Sequence, residues 1–163
     1  MAFYLPNMES IFENCISLKS VNFVGFDTSN VLDMRYLFNS CVNLTSIDLS
    51  ILNISNVKKL YSMFNNCTQL SIVNLENVIA PYAENMTYMF NACYNLLKID
   101  LSGFNTSGLT SMKAMFSGCQ KVKELNLENF DTTFVTNMKE MFRDCYELIS
   151  INIKNLILLI FNL

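Results

Sequence analysis

Apolar and polar positions recur along this chain with a fixed period of 26 residues, marked by Cys15, Cys41, Cys67, Cys93, Cys119 and Cys145. Three residues before each cysteine stands a phenylalanine: Phe12, Phe38, Phe64, Phe90, Phe116 and Phe142. Just before those come Ile11, Leu37, Met63, Met89, Met115 and Met141, and three residues earlier Met8, Met34, Leu60, Met86, Met112 and Met138. On the far side of each cysteine, the third residue is Leu18, Leu44, Leu70, Leu96, Val122 or Leu148. The sixth is Val21, Ile47, Val73, Ile99, Leu125 or Ile151, and the eighth Phe23, Leu49, Leu75, Leu101, Leu127 or Ile153. So many apolar columns in one register define a solenoid, in which each repeat buries its apolar face on its neighbours.

Two local patterns fill each repeat. In Met138 to Cys145 the apolar residues fall at i, i+3, i+4 and i+7, which predicts an amphipathic helix of about two turns. Asp33, Asn85, Ser111 and Asn137 precede the segment as N-cap types, while Lys59 departs, and Asn137 with Glu140 makes a capping box. In Ser46 to Ser50 and Lys98 to Ser102 strict alternation predicts a strand with one face inward, and a polar turn such as Asp27-Thr28-Ser29-Asn30 follows. The predicted fold class is an α/β solenoid of strand–turn–short helix units. Its strands form a parallel sheet with a spacing of about 4.8 Å, concave because helices are wider than strands. Residues 1–163 read as one array of about six units, the first partial and the last degenerate from about residue 156. Leu5 already occupies the column of Val31 and Val57, so the chain reads as starting inside a repeat. A lone unit cannot offset the ordering entropy of its own backbone, and stability belongs to the stack.

Composition follows from this plan. Apolar residues make up 52% of the chain and charged ones only 15%, because each unit has many inward columns to fill. The longest wholly apolar run, Leu156 to Phe161, is far shorter than the roughly 20 residues of a membrane-spanning helix. The N-terminus shows neither the charged region nor the long apolar region of a signal peptide. A net charge of −3 with scattered cations argues against a nucleic-acid surface.

Candidate chemistry is sparse. The chain has no histidine, which removes Ser-His-Asp and Cys-His catalysis and the commonest zinc ligand. The cysteines read first as small buried thiols, ahead of disulfides and of metal ligation, since no C-x-x-C pair exists. The methionines read as core filling rather than soft-metal ligands, and four glycines make no phosphate loop. No catalytic, metal or cofactor residue is expected. One polar column remains: Asn22, Asp48, Asn74, Asp100, Asn126 and Asn152, at the outward strand position. It is either a surface that keeps the sheet soluble or part of a ligand-binding face. The flanking Ser20, Ser46, Ile72, Lys98, Glu124 and Ser150 supply no aromatic anchor. Tyr36, Tyr88, Tyr94 and Tyr146 form sticky patches or are partly buried between adjacent units.

Three motifs carry a resemblance: L-x-x-I-x-L at Leu44 to Leu49 and Leu96 to Leu101, M-x-x-M-F-x-x-C at Met86 to Cys93, Met112 to Cys119 and Met138 to Cys145, and F-[DN]-T-S-x-[VL] at Phe26 to Val31 and Phe104 to Leu109. Over roughly Met8 to Leu156 the chain resembles the BspA-like leucine-rich repeat of bacterial, mycoplasma and protist surface proteins and lipoproteins. The resemblance implies a cell-surface or secreted location and a non-enzymatic adhesion scaffold. Its partners would be host extracellular-matrix or cell-surface proteins, with no nucleic acid and no membrane insertion by this segment. The rival expectation is a structural spacer presenting another domain. Two departures stand out. Ile79-Ala80-Pro81-Tyr82 replaces the Asp-Thr-Ser turn and should bend or bulge that loop, and Ile157 to Phe161 replaces the last polar turn. The ends therefore read as poorly capped, which predicts end-to-end self-association.

Overall fold

The structure, a computed structural model, describes residues 6–152; the apolar stretch from 156 onward and the Leu5 position lie outside them. Four short strands are formed: β1 (Ser46–Asp48), β2 (Ile72–Asn74), β3 (Glu124–Asn126) and β4 (Ser150–Asn152). β1 pairs with β2 and β3 with β4, both parallel, with Ile47 beside Val73 and Leu125 beside Ile151. The sequence period is thus the pairing register. The fourth unit contributes only a bridge from Lys98 to Ile72. At each strand the middle residue points inward, as alternation requires.

The predicted short helix is not formed: the described residues contain no helix, and Met34 to Cys41 and its equivalents run as successive turns. Their N–H groups bond across units rather than along the chain. Met34, Tyr36, Phe38 and Ser40 donate to the carbonyls of Lys59, Tyr61, Met63 and Asn65, and the pattern repeats at every junction from Met8 to Gly118 with N···O distances of 2.7–3.3 Å. The physical reason is spacing. Phe12, Phe38, Phe64, Phe90, Phe116 and Phe142 stack with ring centroids 5.3–6.1 Å apart and planes within 9°. A helix about 10 Å across does not fit in a repeat of that height. Apolar residues at i, i+3, i+4 and i+7 point inward here because left-handed residues turn the chain between them. Tyr36 and Ser40, Ser62 and Asn66, Tyr88 and Ala92, and Glu140 and Asp144 all have φ between 54° and 62°. Such residues cost roughly 1–2 kcal/mol each, a strain offset by the shared ladder and the buried side chains. The expected capping box is replaced by Asx turns: Asn137 Oδ1 accepts from the Lys139 N–H at 3.0 Å, and Asn7, Asp33 and Asn85 do the same in their units. Without helices, the reason offered for a concave sheet lapses.

One apolar core runs from Met8 to Met141. Cys41, Cys67, Cys93 and Cys119 are buried in it, Cys145 is half-buried and Cys15 exposed, and all six thiols are free. Each thiol from Cys41 to Cys145 donates to the carbonyl of the preceding unit's phenylalanine, Sγ···O 3.0–3.3 Å. Burial pushes the Cys41 thiol up to about 11 and those of Cys67, Cys93 and Cys119 higher still. The distortion expected at Ile79 to Tyr82 takes the form of a close backbone approach. The Ala80 N–H bonds the Gly103 carbonyl at 3.1 Å, and a Cβ on Gly103 would lie 1.8 Å from the Val78 carbonyl oxygen. Only glycine fits there.

Candidate interaction face

The strand face of the stack is the surface on which residue types change from unit to unit. Asn22, Asp48, Asn74, Asp100, Asn126 and Asn152 stand on it in one column, exposed except for the half-buried Asn74. Their side chains also have local work. Asn22, Asp48, Asn74, Asp100 and Asn126 each accept through Oδ1 from the N–H two residues on, which turns the chain out of the strand. Asp48 additionally accepts from Ser50 Oγ at 2.6 Å and Asn74 Nδ2 at 3.0 Å, and Asn152 Nδ2 donates to Glu128 at 3.2 Å. The hydrogen bonds from Ser50 hold the Asp48 carboxyl below the usual carboxylate range, and those from Ser102 do so at Asp100. Outward recognition by this column therefore rests on the carboxylate and amide atoms left over.

Beside the column, Ile72 and Leu97 are more than half exposed, at 58% and 55%. They lie on units three and four, Leu97 next to the Lys98 that bridges to Ile72, where strand pairing thins to that one bridge. Together with Asn74, Glu76, Lys98 and Asp100 they line a shallow open depression of about 790 Å³. An apolar floor rimmed by one cation and two carboxylates is a surface for a protein side chain rather than for a small charged metabolite.

On the turn face, three tyrosines come together that sequence spacing did not group. Tyr36 and Tyr61 meet edge to face at 5.0 Å, Tyr61 and Tyr88 at 6.1 Å, and Lys113 Nζ lies 5.3 Å from the Tyr88 ring centroid. All three tyrosines are half-buried, whereas Tyr94 and Tyr146 are exposed. A hydrogen bond with Tyr61, together with desolvation, pushes Tyr36 up to about 12. Tyr61 was missed because it sits one position before the Tyr36 and Tyr88 column. Nearby Asp33 joins Arg35 at 2.9 Å and Lys59 at 3.5 Å, and Arg35 reaches Glu9 at 3.0 Å. Burial opposes ionisation of Asp33, but Arg35 and Lys59 outweigh it and lower its pKa.

A second unforeseen feature is an amide ladder along the turn face. Asn39 Nδ2 donates to Glu13, Asn65 Nδ2 to Asn39 and Asn91 Nδ2 to Asn65, at 2.7–2.8 Å. Its signal was present as asparagine two residues before Cys41, Cys67 and Cys93. Among the described residues no group of three or more cysteine or carboxylate side chains is placed to hold a metal ion.

Comparison with known proteins agrees with this architecture. No curated protein matches the chain. Among solved structures, a leucine-rich repeat protein of T. pallidum (TpLRR) superposes with a TM-score of 0.54 at 23% identity, covering 74% of this chain. The chain spans about half of that protein, 51% of its length. A leucine-rich repeat protein from Bacteroides ovatus is 19% identical over 82% of this chain and 40% of its own, with a TM-score of 0.31. The first shows a leucine-rich-repeat fold. The family described as Mycoplasma protein of unknown function, DUF285, matches residues 4–93 and again 74–156, in keeping with the BspA-like repeat motifs, and the chain belongs to that family.

Proposed function

We propose that the chain is a non-enzymatic protein-interaction scaffold, displayed at the cell surface or secreted, that engages its partner through the strand face. The observation that carries this reading is the exposed Ile72 and Leu97 within one depression edged by Lys98, Glu76 and Asp100, beside the single Ile72–Lys98 bridge. Large apolar side chains left in solvent and lining one depression on a largely polar face suit an interaction site. Asp48, Asn74 and Asp100 would set orientation at its rim, while Asn22, Asn126 and Asn152 extend the face. The resemblance to BspA-like surface proteins makes extracellular-matrix and cell-surface proteins the partners to try first. No residue is assigned a catalytic role.

The test is binding of the purified chain to a panel of immobilised extracellular-matrix proteins and to cultured cells. Retention by at least one, weakened about tenfold or more by Ile72→Lys with Leu97→Lys, is expected for a central apolar contact of roughly 1.5–3 kcal/mol. Absence of binding far above micromolar concentration overturns the reading. The alternative of a structural spacer is favoured by the Asx turns that occupy much of the polar column. Under it, deleting one whole 26-residue unit leaves binding by a longer parent intact, whereas the scaffold reading predicts loss when unit three or four is removed.

A further inference from the structure

The turn face carries a second surface, built from interior units. Tyr36, Tyr61, Tyr88 and Lys113 follow one another along it, one from each of successive units, alternating between two neighbouring columns. Their half-buried rings cross rather than lie flat: Tyr36 and Tyr61 at 86°, Tyr61 and Tyr88 at 75°, with centroids 5.0 and 6.1 Å apart. In the column of Tyr36 and Tyr88 the residue between them is the small, buried Ser62, and Ala114 follows Tyr88. The strip is therefore corrugated rather than a level platform.

Its chemistry and its spacing both bear on what it would hold. Beside the tyrosines, one tight turn along the chain, the Asn39, Asn65 and Asn91 amides each use one Nδ2 hydrogen in their own ladder and keep a second. The Asn39 N–H bonds the Tyr36 carbonyl at 2.9 Å and the Asn91 N–H the Tyr88 carbonyl at 3.2 Å, which fixes the amide column next to the rings. Lys113 Nζ, 5.3 Å from the Tyr88 ring centroid, forms no salt bridge among the described residues, although Glu140 acts on it from farther off. The surface thus offers hydrogen-bond donors and one cation beside aromatic rings. Hydrogen-bonded units advance roughly 5 Å each, which puts Tyr36 and Tyr88 about 10 Å apart along the stack. A polyproline II helix advances about 9.3 Å per three-residue turn, and its carbonyls make no internal hydrogen bonds.

We propose that this strip binds a proline-rich segment of a partner in the polyproline II conformation, with an acidic residue next to the prolines. Laid along the stack, prolines one turn apart meet Tyr36 and Tyr88 alike and wedge against the crossed rings. The segment's carbonyls accept from the free amide hydrogens, and its carboxylate meets Lys113. Proline has no N–H to leave unpaired against the surface, and a preformed helix loses little freedom on docking to an aromatic-lined site. Crossed rings suit a pyrrolidine wedge, whereas the flat face of a sugar needs a level platform. The site goes beyond the strand-face reading and shares no residue with it.

The test is fluorescence anisotropy with a labelled oligoproline peptide ending in a pair of glutamates, titrated with the purified chain. Saturable binding in the micromolar range is expected, with a Gly-Ser peptide carrying the same glutamates about tenfold weaker or worse. Lys113→Glu should weaken the acidic peptide about tenfold or more and favour an oligoproline ending in lysines, because the charge complement is then reversed. Tyr61→Ala should weaken both oligoprolines about tenfold. Far-ultraviolet circular dichroism and protection of the Cys67 and Cys93 thiols from labelling report that each variant stays folded, and Lys113 is no part of the core. Absence of binding far above micromolar concentration, equal binding of the Gly-Ser peptide, or folded variants that bind like the parent each overturn the proposal. Binding of cellohexaose in place of the oligoproline overturns it too, and makes the strip a glycan platform.

Discussion

The turn face and the strand face of this stack are built from the same 26-residue period but obey it differently. On the turn face the ladder is unbroken from Met8 to Gly118, four hydrogen bonds at each junction, with one phenylalanine and one cysteine per unit beneath it. On the strand face the pairing divides into β1–β2 and β3–β4, and between them only the Ile72–Lys98 bridge remains. Residue types follow suit. The turn-face core column holds phenylalanine six times, whereas the column of Ile72 holds serine three times with isoleucine, lysine and glutamate. The comparison teaches a division of labour: one side fixes the height of every unit, and the other is left free to vary because little of the stack's cohesion passes through it.

That division is open to measurement, beginning with the effect expected to be largest. Phe90→Ala removes a fully buried ring stacked on both Phe64 and Phe116 and should cost about 3–5 kcal/mol in a denaturant titration. Parental stability would mean that the ring stack does not hold the units together. Alkali comes next. The buried thiols keep their protons in the fold to a higher pH than in the unfolded chain, whose value is near 9.0. Above that pH the unfolded chain has lost protons the native one retains, so stability is fully present below about pH 9 and falls as pH rises through the folded values. Replacing Cys67 and Cys93 by alanine should flatten that fall; an unchanged slope would assign it to other groups.

Gly103→Ala should then cost about 1–3 kcal/mol, because its methyl collides with the backbone of Val78 rather than with a movable side chain. Restoring an Asp-Thr-Ser sequence at residues 79–81 should relieve part of that loss, and a fully additive pair would show that the two sites do not touch. Smallest of all, Ile72→Lys on the strand face should change stability by no more than about 0.5 kcal/mol. A loss comparable to that of Phe90→Ala would erase the distinction between the two faces.

Much of this was legible in the residues. The Cys, Phe and Met columns fixed a single stacked core, and Cys41, Cys67, Cys93 and Cys119 lie in it as their spacing suggested. The alternation at Ser46 to Ser50 gave a true strand at Ser46–Asp48, whereas the same alternation at Lys98 to Ser102 gave only the bridge from Lys98 to Ile72. The helix was misread because i, i+3, i+4, i+7 spacing reports only which residues face inward. It does not tell whether the intervening chain follows one right-handed coil or reverses at left-handed residues. A clue lay in Asn14, Asn66, Gly118 and Asp144, types that tolerate positive φ, just before their cysteines. Tyr36, Tyr88 and Glu140 in left-handed geometry gave no such warning. The Tyr36–Tyr61–Tyr88 cluster escaped notice because contact between adjacent units links neighbouring columns, which no single-column reading detects.

The turn-face ladder has an evolutionary corollary. Every internal junction presents the same donors to the same acceptors, so a duplicated or excised stretch of 26 residues meets a ready-made neighbour wherever the crossover falls. Unequal recombination within the coding sequence can then lengthen or shorten the protein while leaving each surviving seam as sound as before. Gly103 is the exception, since it suits only the unusual loop beneath it and must be inherited together with Ile79 to Tyr82.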